Sequence, residues 1–157
     1  MDGSGETNIV EIPVAPVMPA YFEFPAGSQT WPRSTVINQD GTINTGQRPA
    51  QKGSVVTAYV TGAGVMTPPA VDGEIPAQGV RTPVAPVSVF LEGFGVRTNA
   101  EVLYAGEAPG FVAGVLQIRF RIPDVPSLGD SPCCGNSAYW YFRIGDSVSN
   151  PVLIAVR

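Results

Sequence analysis

The stretch "VLQIRFRIP", Val115 to Pro123, decides the fold. Leu116, Ile118, Phe120 and Ile122 are apolar and alternate with Gln117, Arg119 and Arg121. A period of two puts the first set on one side of an extended chain and the second on the other, as in an antiparallel sheet with one wet face. "SAYWYFRIG" repeats the pattern, with Ala138, Trp140, Phe142 and Ile144 against Tyr139, Tyr141 and Arg143. Working outward, "SVVTAYVTG" places Val56, Ala58 and Val60 on one side, and "VSVFLEG" places Val87, Val89 and Leu91. "NAEVLYAG" places Ala100, Val102 and Tyr104 on one face, and "PVLIAVR" closes the chain with Val152, Ile154 and Val156.

No segment has helical periodicity. The 18 glycines and 16 prolines are spread along the whole chain, so long helices do not survive. The expectation is an all-β fold: an immunoglobulin-like, two-sheet antiparallel β-sandwich of seven to nine strands. With 157 residues and 44% hydrophobic content, residues 8–157 read as a single domain with a real core, and residues 1–7 as a flexible tail or tag. "NIVEIPVAPVMPAYFEF" is apolar but broken by Pro13, Pro16 and Pro19, which fits an edge strand or one that crosses between sheets. Met66 to Pro86, rich in proline, reads as a long surface loop with room for a short edge strand.

"VINQDGTINTGQRPA", Val36 to Ala50, sets Asn38, Asp40 and Asn44 around a glycine. Asp40-Gly41 is a strong hairpin signal, because glycine accepts a positive φ. A helix-loop-helix calcium site needs more acids and a closing glutamate about twelve positions on, where Pro49 stands. The loop is therefore read as a turn.

Much of the chain resembles a known family. "NQDGTINTGQRPAQKGSVVTAYVTGAG" is followed in order by "VDGEIP", "PVAPVSVFLEG", "EVLYAGEAPGFVAGVLQIRFRIP" and "VLIAVR", with "PVAPVMPAYFEF" as lead-in. This resembles the Solibacter-type uncharacterized C-terminal domain of large secreted proteins of acidobacteria, from about Val10 to Arg157. The resemblance implies export, a β-sandwich of immunoglobulin or TIG type, a place as a tail on secreted or surface proteins, and no known enzymatic activity. Members commonly carry a related half upstream, so this chain is expected to be a cut-out or a stand-alone version. "SLGDSPCCGNSAYWYF" departs from the family's simple Gly/Ala/Val pattern.

Composition points the same way. Charged residues make up 14%, against roughly 25% in ordinary globular proteins. Lys52 is the only lysine beside eight arginines. These features lean towards an extracellular or cell-surface location. A net charge of −4 argues against nucleic acid as partner, and no apolar run is long enough to span a membrane. Without histidine, Ser-His-Asp and Cys-His catalysis are excluded. Asp40, Asp72, Asp124, Asp130 and Asp146 are scattered over turns, and "GAG" at Gly62 to Gly64 lacks the rest of a dinucleotide motif. No enzyme, cofactor or metal site is expected.

Three features are candidates for interaction. Adjacent Cys133 and Cys134 either close a small strained disulfide ring, crosslink to other chains or stay as thiols. If Val115–Ile122 pairs with Ser137–Ile144, one wet surface collects Arg119, Arg121, Tyr139, Tyr141 and Arg143, either as an ordinary cross-strand ladder or as a face for a protein or glycan partner. Trp31 is a further candidate for sugar stacking. The apolar N-terminal residues Ile9, Val10, Ile12, Val14 and Val17 either fold back as an edge strand or complete a neighbour's sheet in a homo-oligomer or fibre. The expected function is thus a non-catalytic extracellular module with a structural or adhesive role. A self-assembling fibre subunit and a carbohydrate-binding module are the alternatives.

Overall fold

The computed structural model describes residues 11–24, 33–34, 36–77, 81–93, 96–124 and 137–157; the expected tail, residues 1–7, lies outside them. Thirteen strands occur among the described residues. Six are long: β5 (Val55–Thr61), β8 (Val87–Gly93), β9 (Val96–Glu107), β10 (Leu116–Arg121), β11 (Ser137–Ile144) and β13 (Val152–Ala155). They coincide with the six alternating stretches of the sequence. The other seven have two residues each: β1 (Ala20–Tyr21), β2 (Glu23–Phe24), β3 (Arg33–Ser34), β4 (Val36–Ile37), β6 (Met66–Thr67), β7 (Thr82–Pro83) and β12 (Ser147–Val148). The excess over seven to nine comes from these short pieces, cut by proline, glycine and turn residues.

The architecture is all-β and mostly antiparallel. Eleven strands form one hydrogen-bonded path, β1-β5-β10-β9-β8-β11-β13-β3-β2, with β4 added to β5 and β12 to β11. The β13–β3 pair is parallel. A second sheet, β6-β7, is the short edge ribbon within the 66–86 excursion. Strand β9 belongs to both halves of the path: Val96–Ala100 pairs with β8, and Glu101–Glu107 pairs with β10. The path curls there, and the apolar sides of its halves meet. Phe120 of β10 packs on Trp140 of β11 with ring centroids 5.4 Å apart, and Tyr21 of β1 meets Phe142 edge-on at 4.8 Å. Val56, Ala58 and Val60 from one half, and Val89, Trp140, Phe142 and Ile154 from the other, are fully buried in one cluster.

One residue expected on the core side is on the other. A β-bulge falls between Arg119 and Phe120, so that Phe120 pairs with Val102 but Arg119 pairs with Tyr104. The extra residue, Leu103, is exposed, and the alternation changes phase. Ala100, Val102 and Ala105 pack on the core, whereas Tyr104 shares the outer side with Arg119.

The N-terminal segment does cross between the halves. Ala20–Tyr21 pairs with β5, and Glu23–Phe24 pairs with β3. The strand starts only at Ala20; residues 11–17 form none, consistent with donors removed at Pro13 and Pro16. They are tied to the body by Met18 N donating to Gly62 O at 3.0 Å and by Ser147 Oγ donating to Val17 O at 3.2 Å. Gly62 (φ +78°) and Gly64 (φ +71°) permit this approach, because a side chain at either would collide with the carbonyl of Met18 or Pro16.

The Val36–Ala50 loop is a turn with a structural task. Asn38 N donates to Thr42 O at 2.8 Å, and Gly41 takes φ +82°. Asp40 accepts from the Thr42 hydroxyl at 2.7 Å and amide at 3.0 Å, and these bonds hold its carboxyl below the usual carboxylate range. Asn44 is buried and treats its side-chain amide as a peptide group. Its Oδ1 accepts from Ala155 N at 2.8 Å, and its Nδ2 donates to Ala155 O at 2.9 Å. Nδ2 also donates to Asn38 Oδ1 at 2.9 Å, while Asn38 Nδ2 donates to Arg48 O at 2.8 Å. The amides that suggested ligands are spent on the chain itself.

Two expectations follow. Asn44→Ala leaves the buried amide of Ala155 without its acceptor, while Ala155 O keeps its bond from Ala50 N, and lowers stability by about 2 kcal/mol in urea titrations, with faster amide exchange at Ala155. Tyr21 places a hydroxyl in the core without a hydrogen-bond partner, and burial raises its pKa well above the ordinary tyrosine value of 10. A raised folded pKa gives stability that is complete below pH 10 and falls as the pH rises beyond it. Tyr21→Phe is therefore expected to stabilise the protein by about 1 kcal/mol at neutral pH and to flatten its alkaline loss of stability, as read by thermal melts at pH 8 to 11.

Candidate functional site

Strands β10 and β11 are not neighbours. β10 lies between β5 and β9, whereas β11 pairs with β8 on one edge and with β12 and β13 on the other. Their apolar sides face each other through Phe120 and Trp140, so their polar sides point away from each other. The expected single wet face is thus two faces. The alternation within each strand was legible; the pairing was not, because it is set by which sheet half receives each strand.

The first face carries Arg119 and Arg121. Arg121 Nε is 2.9 Å from Glu101 Oε2, and Nη1 donates to Gly53 O at 2.9 Å. Arg119 is exposed opposite Thr57 and Tyr104. This is a solvated cross-strand ladder.

The second face, formed by β8, β9 and β11, carries Tyr139, Tyr141 and Arg143, all half-buried. The register sets Tyr139 opposite Glu92, Tyr141 opposite Phe90, and Arg143 opposite Ser88. Across β8, Glu92 also opposes Arg97, and Phe90 opposes Asn99. Phe90 is the residue that the sequence reading missed. It lies on the polar phase of β8, between the core residues Val89 and Leu91, yet it is only 3% exposed. Tyr141 stacks on it at 5.2 Å with planes 10° apart. Arg97 Cζ stands 3.8 Å from its ring centre and Arg143 Cζ 5.9 Å. An aromatic ring on the polar phase of "VSVFLEG" was the available signal.

The two guanidiniums have no acidic partner among the described residues, and Arg143 Nε is shielded from water without an acceptor. The face therefore combines stacked rings, two cations outside any ion pair among the described residues, and one carboxylate, Glu92. It can stack, donate in forks and accept.

Other candidates resolve as follows. Trp31, Cys133, Cys134, Ile9 and Val10 lie outside the described residues. Ile12 and Val14 are exposed, and Val17 packs against the core. The fold does bring together carboxylates that are far apart in sequence: Arg81 Nη1 lies 3.0 Å from Glu107 Oε1, and Nη2 2.7 Å from Glu74 Oε2. Glu107 is buried, and its amide donates to Arg81 O at 2.9 Å. The guanidinium between the two acids makes this a clamp that holds the 66–83 excursion. An open cleft of about 410 Å³ is lined by Asn38, Gln39, Asp40, Gln51 and Arg157 among others. Asn38, Gln39 and Asp40 are already engaged within the chain. No cluster of three metal-ligating side chains occurs among the described residues, and no helix there is long and apolar enough to cross a membrane.

Compared with family models, curated proteins and solved structures, the chain matches none of the three.

Phe90 anchors the second face. Phe90→Ala is expected to lower stability by about 3 kcal/mol, as for a buried core aromatic, whereas Arg97→Gln lowers it by less than about 1 kcal/mol. Equal urea midpoints for Phe90→Ala and the parent protein would contradict this.

Proposed function

We propose that this chain is a non-catalytic extracellular β-sandwich module with a structural or adhesive role on a secreted or cell-surface protein. The observation that carries the reading is the second face. The half-buried Tyr139 and Tyr141, the latter stacked on buried Phe90, and two arginines that form no ion pair among the described residues stand together on a laddered sheet. Such a surface suits contact with another surface. The N-terminal segment that passes from one sheet half to the other, and the Phe120–Trp140 contact between halves, support an immunoglobulin-like form of the sandwich. The low lysine content and the sequence resemblance to the Solibacter-type domain support export and the tail-like role.

A second reading has its own observation. Ile12, Val14 and Met18 are 75%, 91% and 76% exposed on a segment that forms no strand before Ala20. The exposed apolar side chains of such a segment would be covered on completing a neighbour's sheet, which would make the chain a fibre subunit.

Light scattering on a sizing column separates the two. The module reading expects one species near 16.5 kDa, unchanged when residues 1–17 are removed. Long assemblies in negative-stain images that vanish on the same deletion would transfer the assignment to the fibre. Proteinase K added to intact cells is expected to degrade the protein; full protection would overturn the surface location.

A further inference from the structure

We infer that the face of β8, β9 and β11 binds an acidic polysaccharide, a chain of uronic acid residues; this rests on the module reading above and names its partner. Three kinds of group lie together there, and one ligand chemistry uses all of them. Arg97 and Arg143 sit over the same Phe90 ring, 3.8 and 5.9 Å from its centre, and neither forms an ion pair with an acid among the described residues, although Glu92 stands opposite Arg97. Each is a planar fork suited to a carboxylate. Arg143 Nε is a shielded donor without an acceptor. Such a donor is unfavourable until matched, and a carboxylate that draws the half-exposed guanidinium outward matches it.

The aromatic side supplies the second element. Tyr141 is held parallel to Phe90, and Tyr139 follows two residues away on the same side of β11. Phe90 itself is buried, so the half-buried Tyr139 and Tyr141 supply the apolar surface, which suits the C–H faces of pyranose rings at low entropic cost. The third element is Glu92, exposed and opposite both Tyr139 and Arg97. It accepts hydrogen bonds from hydroxyls.

Alternatives use only part of the face. A neutral glycan leaves the cations idle. An acidic peptide brings carboxylates but no row of hydroxyls for Glu92 to accept from. Nucleic acid brings anionic groups but few chain hydroxyls for Glu92. A single sugar buries too little on an open platform, whereas a polymer lays several residues along it.

The test is affinity electrophoresis of the full chain through gels that contain polygalacturonate, dextran or polyglutamate. Retardation is expected in polygalacturonate alone. Arg97→Gln and Arg143→Gln should each weaken it about tenfold, the loss of one charge-assisted pair. Arg143→Lys, which keeps the charge but not the fork, should weaken it too, and Arg119→Gln on the opposite face should leave it unchanged. Near-ultraviolet circular dichroism identifies any variant that has lost its packing; the Lys variant and the Arg97 variant then carry the comparison. No retardation by polygalacturonate overturns the inference, as does equal retardation by polyglutamate or dextran, or an effect of Arg119→Gln as large as that of Arg143→Gln. Failure here with a monomeric, surface-exposed protein leaves the module reading standing, whereas shortening of the polymer by the protein would remove its non-catalytic premise.

Discussion

Strand Val96–Glu107 pairs along its first half with Val87–Gly93 and along its second half with Leu116–Arg121. Its bulge sits where the pairing changes from core-side Phe120 and Val102 to outer Arg119 and Tyr104. A bulge adds a residue on one strand only, so the strand bends and its twist increases. The two halves of the path can then close on each other, and the fully buried side chains of one half find those of the other. A straight strand of this length would carry the ladder onward and leave Phe120 and Trp140 without each other.

The remaining polar groups are placed to finish what the curl begins. An unpaired strand edge is both a loss of hydrogen bonds and an invitation to aggregate. Ala155 at the end of the last strand is met by the side chain of Asn44 and by the amide of Ala50, and Arg157 N donates to Ala50 O beside it. Between the two short partners of Ser137–Ile144, Ser149 accepts the amide of Phe142 through its hydroxyl and donates its own amide to Phe142 O. Tyr21 N donates to Asn150 Oδ1, which links the N-terminal segment to the same corner. The turn-rich, lysine-poor composition serves a ladder whose irregular ends are closed by asparagine and serine side chains.

With the buried polar groups committed inward, what the molecule presents outward differs between its faces. One has its arginines partly neutralised, with Arg121 on Glu101, and the other holds Arg97 and Arg143 over an aromatic ring with no such partner among the described residues. The asymmetry is a matter of position and not of composition, since arginine and tyrosine occur on both. It is the reason for assigning the recognition role to one side.

How much of this could be read in advance follows from the range of each interaction. The alternation of Leu116 to Ile122 and of Ala138 to Ile144 is a property of consecutive residues, so these strands and their buried sides were legible, as was the Asp40-Gly41 turn. The task of Asn44 was not, because its partner Ala155 is 111 positions away. Nor was the cluster of Glu74, Arg81 and Glu107, nor the burial of Phe90, nor the separation of Arg119 from Tyr139. A period of two tells a side chain which face to take but carries no information about the strand beside it. That choice is made by closing the core, where the volume of Phe120 and Trp140 must fit between the halves, and it alone determines which polar side chains become neighbours.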